Sequence, residues 1–146
     1  TSVDLVEALR AQAPEEYQSV IDDLFEKIIL FSNRTLEATY EETENGKYRV
    51  TLALECKKFE ADEKGAQTEI PVDDWIEIGA FAEPDKGESY GRTLYRERVK
   101  ISKSDPKFEF EVDELPAEVG VDPFCLLIDR IPDDNMKKPK RAATSL

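Results

Sequence analysis

A chain of 146 residues can bury one sizeable core, so a single domain is the expectation. Its 33 acidic side chains outnumber 20 basic ones, and the net charge of −13 repels phosphate backbones, arguing against nucleic-acid binding as a general function. There is no histidine, which removes His-assisted serine or cysteine hydrolysis and most zinc chemistry, and no apolar run approaches the ~20 residues of a membrane-spanning helix.

Residues 3–11 predict a short helix, with Ser2 as N-cap and Val3, Val6 and Leu9 along one side. Thr1 opens directly onto this amphipathic segment, so no signal peptide is expected within these residues. Pro14 suits the first turn of a second helix, with Glu15 and Glu16 at its positive end. Apolar residues at Tyr17, Val20, Ile21, Leu24, Phe25, Ile28 and Phe31 carry the helical period onward. The period then changes to two. Leu36, Ala38 and Tyr40 alternate with Thr35, Glu37 and Thr39, Asn45-Gly46 marks a hairpin turn, and Tyr48, Val50, Leu52, Leu54 and Cys56 line one face of the return strand.

A polar loop is expected from about Glu60 to Gln67, then strands over Trp75 to Ala82, Leu94 to Ile101 and Phe108 to Val112. The apolar run Phe124 to Ile128, held between Asp122-Pro123 and Pro132-Asp133, is read as a buried closing strand reaching Arg130. The expected architecture is mainly β: an immunoglobulin-like antiparallel sandwich of about seven strands, preceded by one or two helices. Residues 1–32 form its helical segment, 33–135 the sandwich and 136–146 a flexible basic tail with Lys137, Lys138, Lys140 and Arg141.

Several short patterns carry possible chemistry. Gly87-Glu88-Ser89-Tyr90-Gly91 matches a nucleophile elbow in letters, but it lies between two predicted strands and lacks a histidine base. Glu60-Ala61-Asp62-Glu63-Lys64-Gly65 is similar to the start of a calcium loop. Lys64 and Pro71 stand where oxygen ligands belong, so an acidic solvated loop is expected. Asp133, Asp134 and Asn135, with Asp129 nearby, could hold a cation, turn capping being the favoured reading.

Cys56 and Cys125, with Trp75 between them, are similar in order to the inter-sheet bridge of antibody domains. Pro123 replaces the expected tyrosine, and two buried free thiols are the favoured alternative. Asn33-Arg34-Thr35 is a formal glycosylation acceptor, and Thr144-Ser145-Leu146 a weak match to a C-terminal PDZ ligand.

The motif Val121-Asp122-Pro123, Leu127-Ile128-Asp129-Arg130 and Asp133-Asp134-Asn135 resembles the C-terminal end of bacterial aminopeptidase N-like (gluzincin) zinc metallopeptidases of the type fused to an ABC-type permease. Glu16-Tyr17-Gln18, Asp23-Leu24-Phe25-Glu26-Lys27-Ile28 and Trp75-Ile76-Glu77-Ile78-Gly79-Ala80-Phe81 extend the resemblance, with Leu94-Tyr95 downstream, over most of residues 14–138. The family's catalytic H-E-x-x-H helix has no counterpart here, so no catalytic, cofactor-binding or metal-binding residue is carried over, and zinc is expected only in a separate catalytic domain.

The resemblance implies a non-catalytic accessory domain. Its partner would be the upstream catalytic domain of the same polypeptide, at the non-cytoplasmic, periplasmic face of a bacterial membrane, with no membrane insertion by this segment. The alternative is a stand-alone immunoglobulin-like module that binds protein or carbohydrate, with Trp75, Phe81 and Tyr90 as candidate contact aromatics, although core is the expected role of Trp75 and Phe81.

Overall fold

The computed structural model describes residues 1–143. Helix α1 (Ser2–Gln12) is capped by Thr1, not Ser2. The Thr1 hydroxyl accepts from the Asp4 amide, and the Asp4 carboxylate reaches back to the cap backbone. A 3-10 turn, Glu15–Tyr17, leads into α2 (Gln18–Phe25). The helical period expected to reach Phe31 stops there, because β1 (Ile28–Glu42) has already begun. Ile28 and Ile29 are β-branched, and from Ile28 to Thr35 each residue has a ladder partner on β2 (Tyr48–Ala61).

The two long strands form a hairpin through Asn45-Gly46, with Gly46 at φ +75°, as the turn chemistry requires. The expected loop after Glu60 is shorter than the sequence suggests, since β2 runs to Ala61 and pairs with β3 (Gln67–Ile70). Asp62 closes the turn, its carboxylate accepting from the amides of Lys64 and Ala66. Across the core lies β4 (Asp74–Phe81), flanked by β5 (Thr93–Ile101) and β7 (Glu118–Val121). The chain returns to the first sheet as β6 (Lys107–Val112), which pairs with the first half of β2.

The expected mainly β architecture is present: two helices followed by two packed sheets. The first is ordered β3-β2-β1-β9, with β6 also on β2, and the second β5-β4-β7-β8. Between them sit Val50, Leu52, Leu54 and Cys56 from β2 against Ile76, Ile78 and Ala80 from β4, all essentially inaccessible.

Two other expectations fail, for separate reasons. A bulge at Leu36 shifts the β1 register between Thr35 and Glu37. Ile29, Phe31, Asn33 and Thr35 therefore face inward before it and Ala38 after it, while Leu36 is turned out. The basic tail, expected to be flexible, is built into the sandwich over its described part. There β8 (Met136–Lys137) pairs with β7, and β9 (Lys140–Arg141) runs parallel to β1. Buried Pro139 pins the crossing between the sheets, and the Ala142 amide donates to the Tyr40 carbonyl. The PDZ-like Thr144-Ser145-Leu146 lies outside the described residues.

Candidate functional site

The apolar run Phe124 to Ile128 is not a buried strand. It is an exposed loop, and the last strand of the second sheet before it is β7. The polar residues around the run decide this. Asp122 is buried at φ +42°, and its carboxylate accepts from the amides of Leu126 (2.9 Å) and Leu127 (3.1 Å). Cys125 also takes positive φ, which no strand tolerates, and its amide donates to the Asp122 carbonyl. Burial raises the Asp122 pKa against the lowering effect of those two amides, with Asp129 and Glu77 adding repulsion.

The far end of the loop is fixed as firmly. The Phe31 amide donates to Ile128 and the Arg130 amide to Phe31, a single parallel bridge onto the start of β1. The Asp129 carboxylate accepts from the amides of Asn33 (3.0 Å) and Ile131 (2.9 Å). Buried Asn135 accepts at its carbonyl from the Thr35 hydroxyl (2.6 Å) and the Val121 amide (3.1 Å). With its amide nitrogen oriented by the hydrogen-bond network toward the Asn33 carbonyl (2.7 Å) and Asp129 (3.2 Å), it ties β1, β7 and the loop together.

Of the residues in the Asp-Pro, Ile-Asp-Arg and Asp-Asp-Asn motifs, Asp122, Asp129 and Asn135 thus work on backbone. Asp133 and Asp134 instead start a 3-10 turn, Pro132–Asp134, without capping it, and one Asp134 carboxylate oxygen is buried with no hydrogen-bond partner among the described residues. Among the described residues no group of three His, Cys, Asp or Glu side chains is arranged to hold a metal ion. Asn33 of the glycosylation pattern is 1% exposed within β1, out of reach of a glycan in the folded chain.

The loop also covers the outer face of β4, which is why that strand is buried on both sides. Pro123 packs over Gly79. Phe81 stacks on Tyr90 at 4.6 Å between ring centres, and Phe124 meets both edge-on. The Tyr90 hydroxyl donates to the Pro123 carbonyl at 2.8 Å, so the supposed nucleophile elbow supplies a packing tyrosine. Arg96 lies over the Phe124 ring and donates to Glu77. Phe81 is therefore a core residue, as expected, whereas Trp75 is half-buried, packs 6.1 Å from the Tyr17 ring and lines an apolar surface.

That surface is a groove of about 290 Å³ between α2, the start of β1 and the loop, with Trp75 among its lining residues. Leu24 and Ile128, each 69% exposed, and Leu126, 61% exposed, form its walls. Ile28 stands at the same mouth, and Phe25 carries the apolar surface toward α1. Helix α1 buries none of its own residues. It is held to α2 by Arg10, which donates to Asp22 (2.6 Å) and Glu26 (2.8 Å), leaving Val3, Leu5 and Leu9 in solvent.

Beneath the groove lies a buried ion triad. Lys58 donates to Asp74 at 2.9 Å and to Asp23 of α2, with its ammonium 5.7 Å from the centre of the Phe31 ring. Burial disfavours the ammonium, but the two carboxylates more than offset this and raise its pKa. This clamp was not legible beforehand. Its members are far apart in sequence, and an inward Lys on a strand gives no local signal.

The two cysteines are free and differently placed, Cys56 in the core and Cys125 exposed on the loop. The bridge considered from their order is absent, because the loop carries Cys125 outward. Burial pushes the Cys56 thiol up to about 12, and burial and acidic neighbours also raise Cys125. A thiol reagent is therefore expected to find one group, slowly, in the native chain and two after denaturation. Two reactive thiols without denaturant would contradict the placement of Cys56.

Comparison with protein-family models, with curated proteins and with solved structures returns no match. Among the described residues no helix is long and apolar enough to cross a membrane.

Proposed function

We propose that this chain is a non-catalytic accessory domain that braces a larger polypeptide by docking through the groove between α2 and the Leu126–Ile128 loop. The observation that carries the reading is the contrast within the loop. Two carboxylates and an asparagine fix its backbone, yet Leu126 and Ile128 are left standing in water. Packing of Pro123 and Phe124 on β4 accounts for the start of the loop being fixed, while a preorganised docking surface accounts as well for Leu126 and Ile128 being held outward.

Resemblance of the same motif to the end of aminopeptidase N-like metallopeptidases supports, as the partner, a catalytic domain preceding it in one polypeptide. On this reading zinc and its histidine ligands belong to that domain, and this one sits with it on the non-cytoplasmic face of a bacterial membrane. The chemistry of this chain is then mechanical. The Lys58 triad holds α2 against the sandwich, the bound loop holds the opposite wall, and the partner's apolar side chains fill the space between.

Two measurements test it. The isolated chain is expected to cleave no aminoacyl reporter, with or without added zinc; zinc-dependent turnover by a pure sample would overturn the non-catalytic assignment. The double substitution Leu126→Asp, Ile128→Asp should change the stability of the isolated chain by no more than about 0.5 kcal/mol, since both side chains are exposed. In the full polypeptide it should lower thermal stability by several degrees, and an unchanged midpoint there would remove the docking role.

A further inference from the structure

A second concavity, of about 280 Å³, lies on the later half of β1, against β8 and β9. Lys137, Lys138, Lys140 and Arg141 line it, with Glu37 the one carboxylate among the lining residues and the bulged Leu36 beside them, 44% exposed. In a chain of net charge −13 this is a reversal of local sign. None of the four takes part in an ion pair among the described residues, and what sets them apart from other unpaired cations of the chain is their grouping on one concavity. Nor are they frayed. Pro139 is buried between them, the two short strands hold their backbone to both sheets, and the Lys137 ammonium donates to the Leu36 carbonyl at 2.9 Å.

We propose that this basic concavity is a contact site for the phosphate headgroups of an anionic lipid surface. Cations grouped within a Debye length see a membrane phosphate plane more strongly than the remote acidic surface does. Leu36 gives the patch the apolar companion that headgroup-level binding uses. An acidic peptide fits less well. It would add as a strand to the outer edge of β9, and β9 pairs over only Thr39 and Tyr40, too short a template for extended backbone. The site does not depend on the docking groove, which belongs to the opposite end of β1.

Co-sedimentation of the full chain with vesicles tests the proposal. Binding to phosphatidylglycerol-containing vesicles should exceed binding to pure phosphatidylcholine by about tenfold or more near ~0.1 M salt, where a Debye length of about 10 Å screens distant carboxylates, and should fall as salt is raised further. The triple variant Lys138→Glu, Lys140→Glu, Arg141→Glu should lose it with an unchanged circular dichroism spectrum. If that variant unfolds, the Gln replacements at the same three positions serve, with a smaller but measurable loss. Equal binding to both vesicle types, no binding to either, or full binding by the folded variant would overturn the proposal. So would binding of inorganic phosphate, or of a polyglutamate peptide, by a chain that ignores the vesicles.

Discussion

Lys58→Met is expected to destabilise the fold by about 3–5 kcal/mol, read as the shift in urea unfolding at constant slope. The side chain is 7% exposed, and it is the shared partner of Asp23 on α2 and Asp74 on β4. Removing it leaves two carboxylates facing each other in a site with little water, so the cost is that of uncompensated charge rather than of a lost contact. Replacing all three residues together with apolar ones of similar volume should recover most of the loss, because the attraction within the triad does little more than offset its desolvation. The pH dependence has a fixed sign. The folded-state pKa of Lys58 lies above its ordinary 10.5, so its contribution is fully present below that value and fades only as pH rises through the folded-state value. A single-residue variant that matched the parent chain in stability would show that α2 is not clamped through this lysine.

The second large effect is expected from Gly120→Ala, at about 3–4 kcal/mol. A methyl group there would overlap the Asn135 carbonyl oxygen and lie 2.7 Å from the Thr35 hydroxyl oxygen. Those two atoms bond each other, and the Asn135 carbonyl also receives the Val121 amide, so neither yields without breaking the junction of β1, β7 and the loop. The readout goes beyond stability: the variant should release the Asp129 and Asn135 ties, raising the amide exchange of residues 128–135 well above that of the β2–β4 core. A merely local loss of packing would raise the exchange of β7 alone.

Alternation made β2 and β6 legible in the sequence, because each has one face in the core and a period of two that no helix shares. Strand β4, though covered on both faces, showed through Ile76, Ile78 and Ala80. The errors share a cause. Ile28 and Phe31 fall on the extended helical period of Leu24, and side-chain spacing alone could not show that their backbone pairs with β2. Phe124 to Ile128 is apolar enough for a strand, yet Asp122 has taken the amides a strand would use, and Cys125 adopts positive φ. Lys-rich Met136 to Arg141 looks solvated, and is, while its short backbone pairings and buried Pro139 join the sheets.

The candidate groove was half visible. The helical period of the second helix put Leu24 and Phe25 on an apolar face, and both side chains stand exposed at or beside the groove. The opposing wall was hidden by the expectation that Leu126 and Ile128 were core. Asp62, Asp122, Asp129 and Asn135 direct backbone, so motifs that are similar to ligand sets in letters act here in part as splints.

Cys125, exposed and next in the chain to the groove-lining Leu126, supplies the most direct test of the proposed docking. Its alkylation rate, followed by mass spectrometry of its own peptide, can be compared between the isolated chain and the full polypeptide its gene encodes. If the proposed partner covers the groove, modification is expected in the isolated chain and protection of about tenfold or more in the full polypeptide. Equal rates in the two would mean that nothing sits on the loop, and would contradict the docking role.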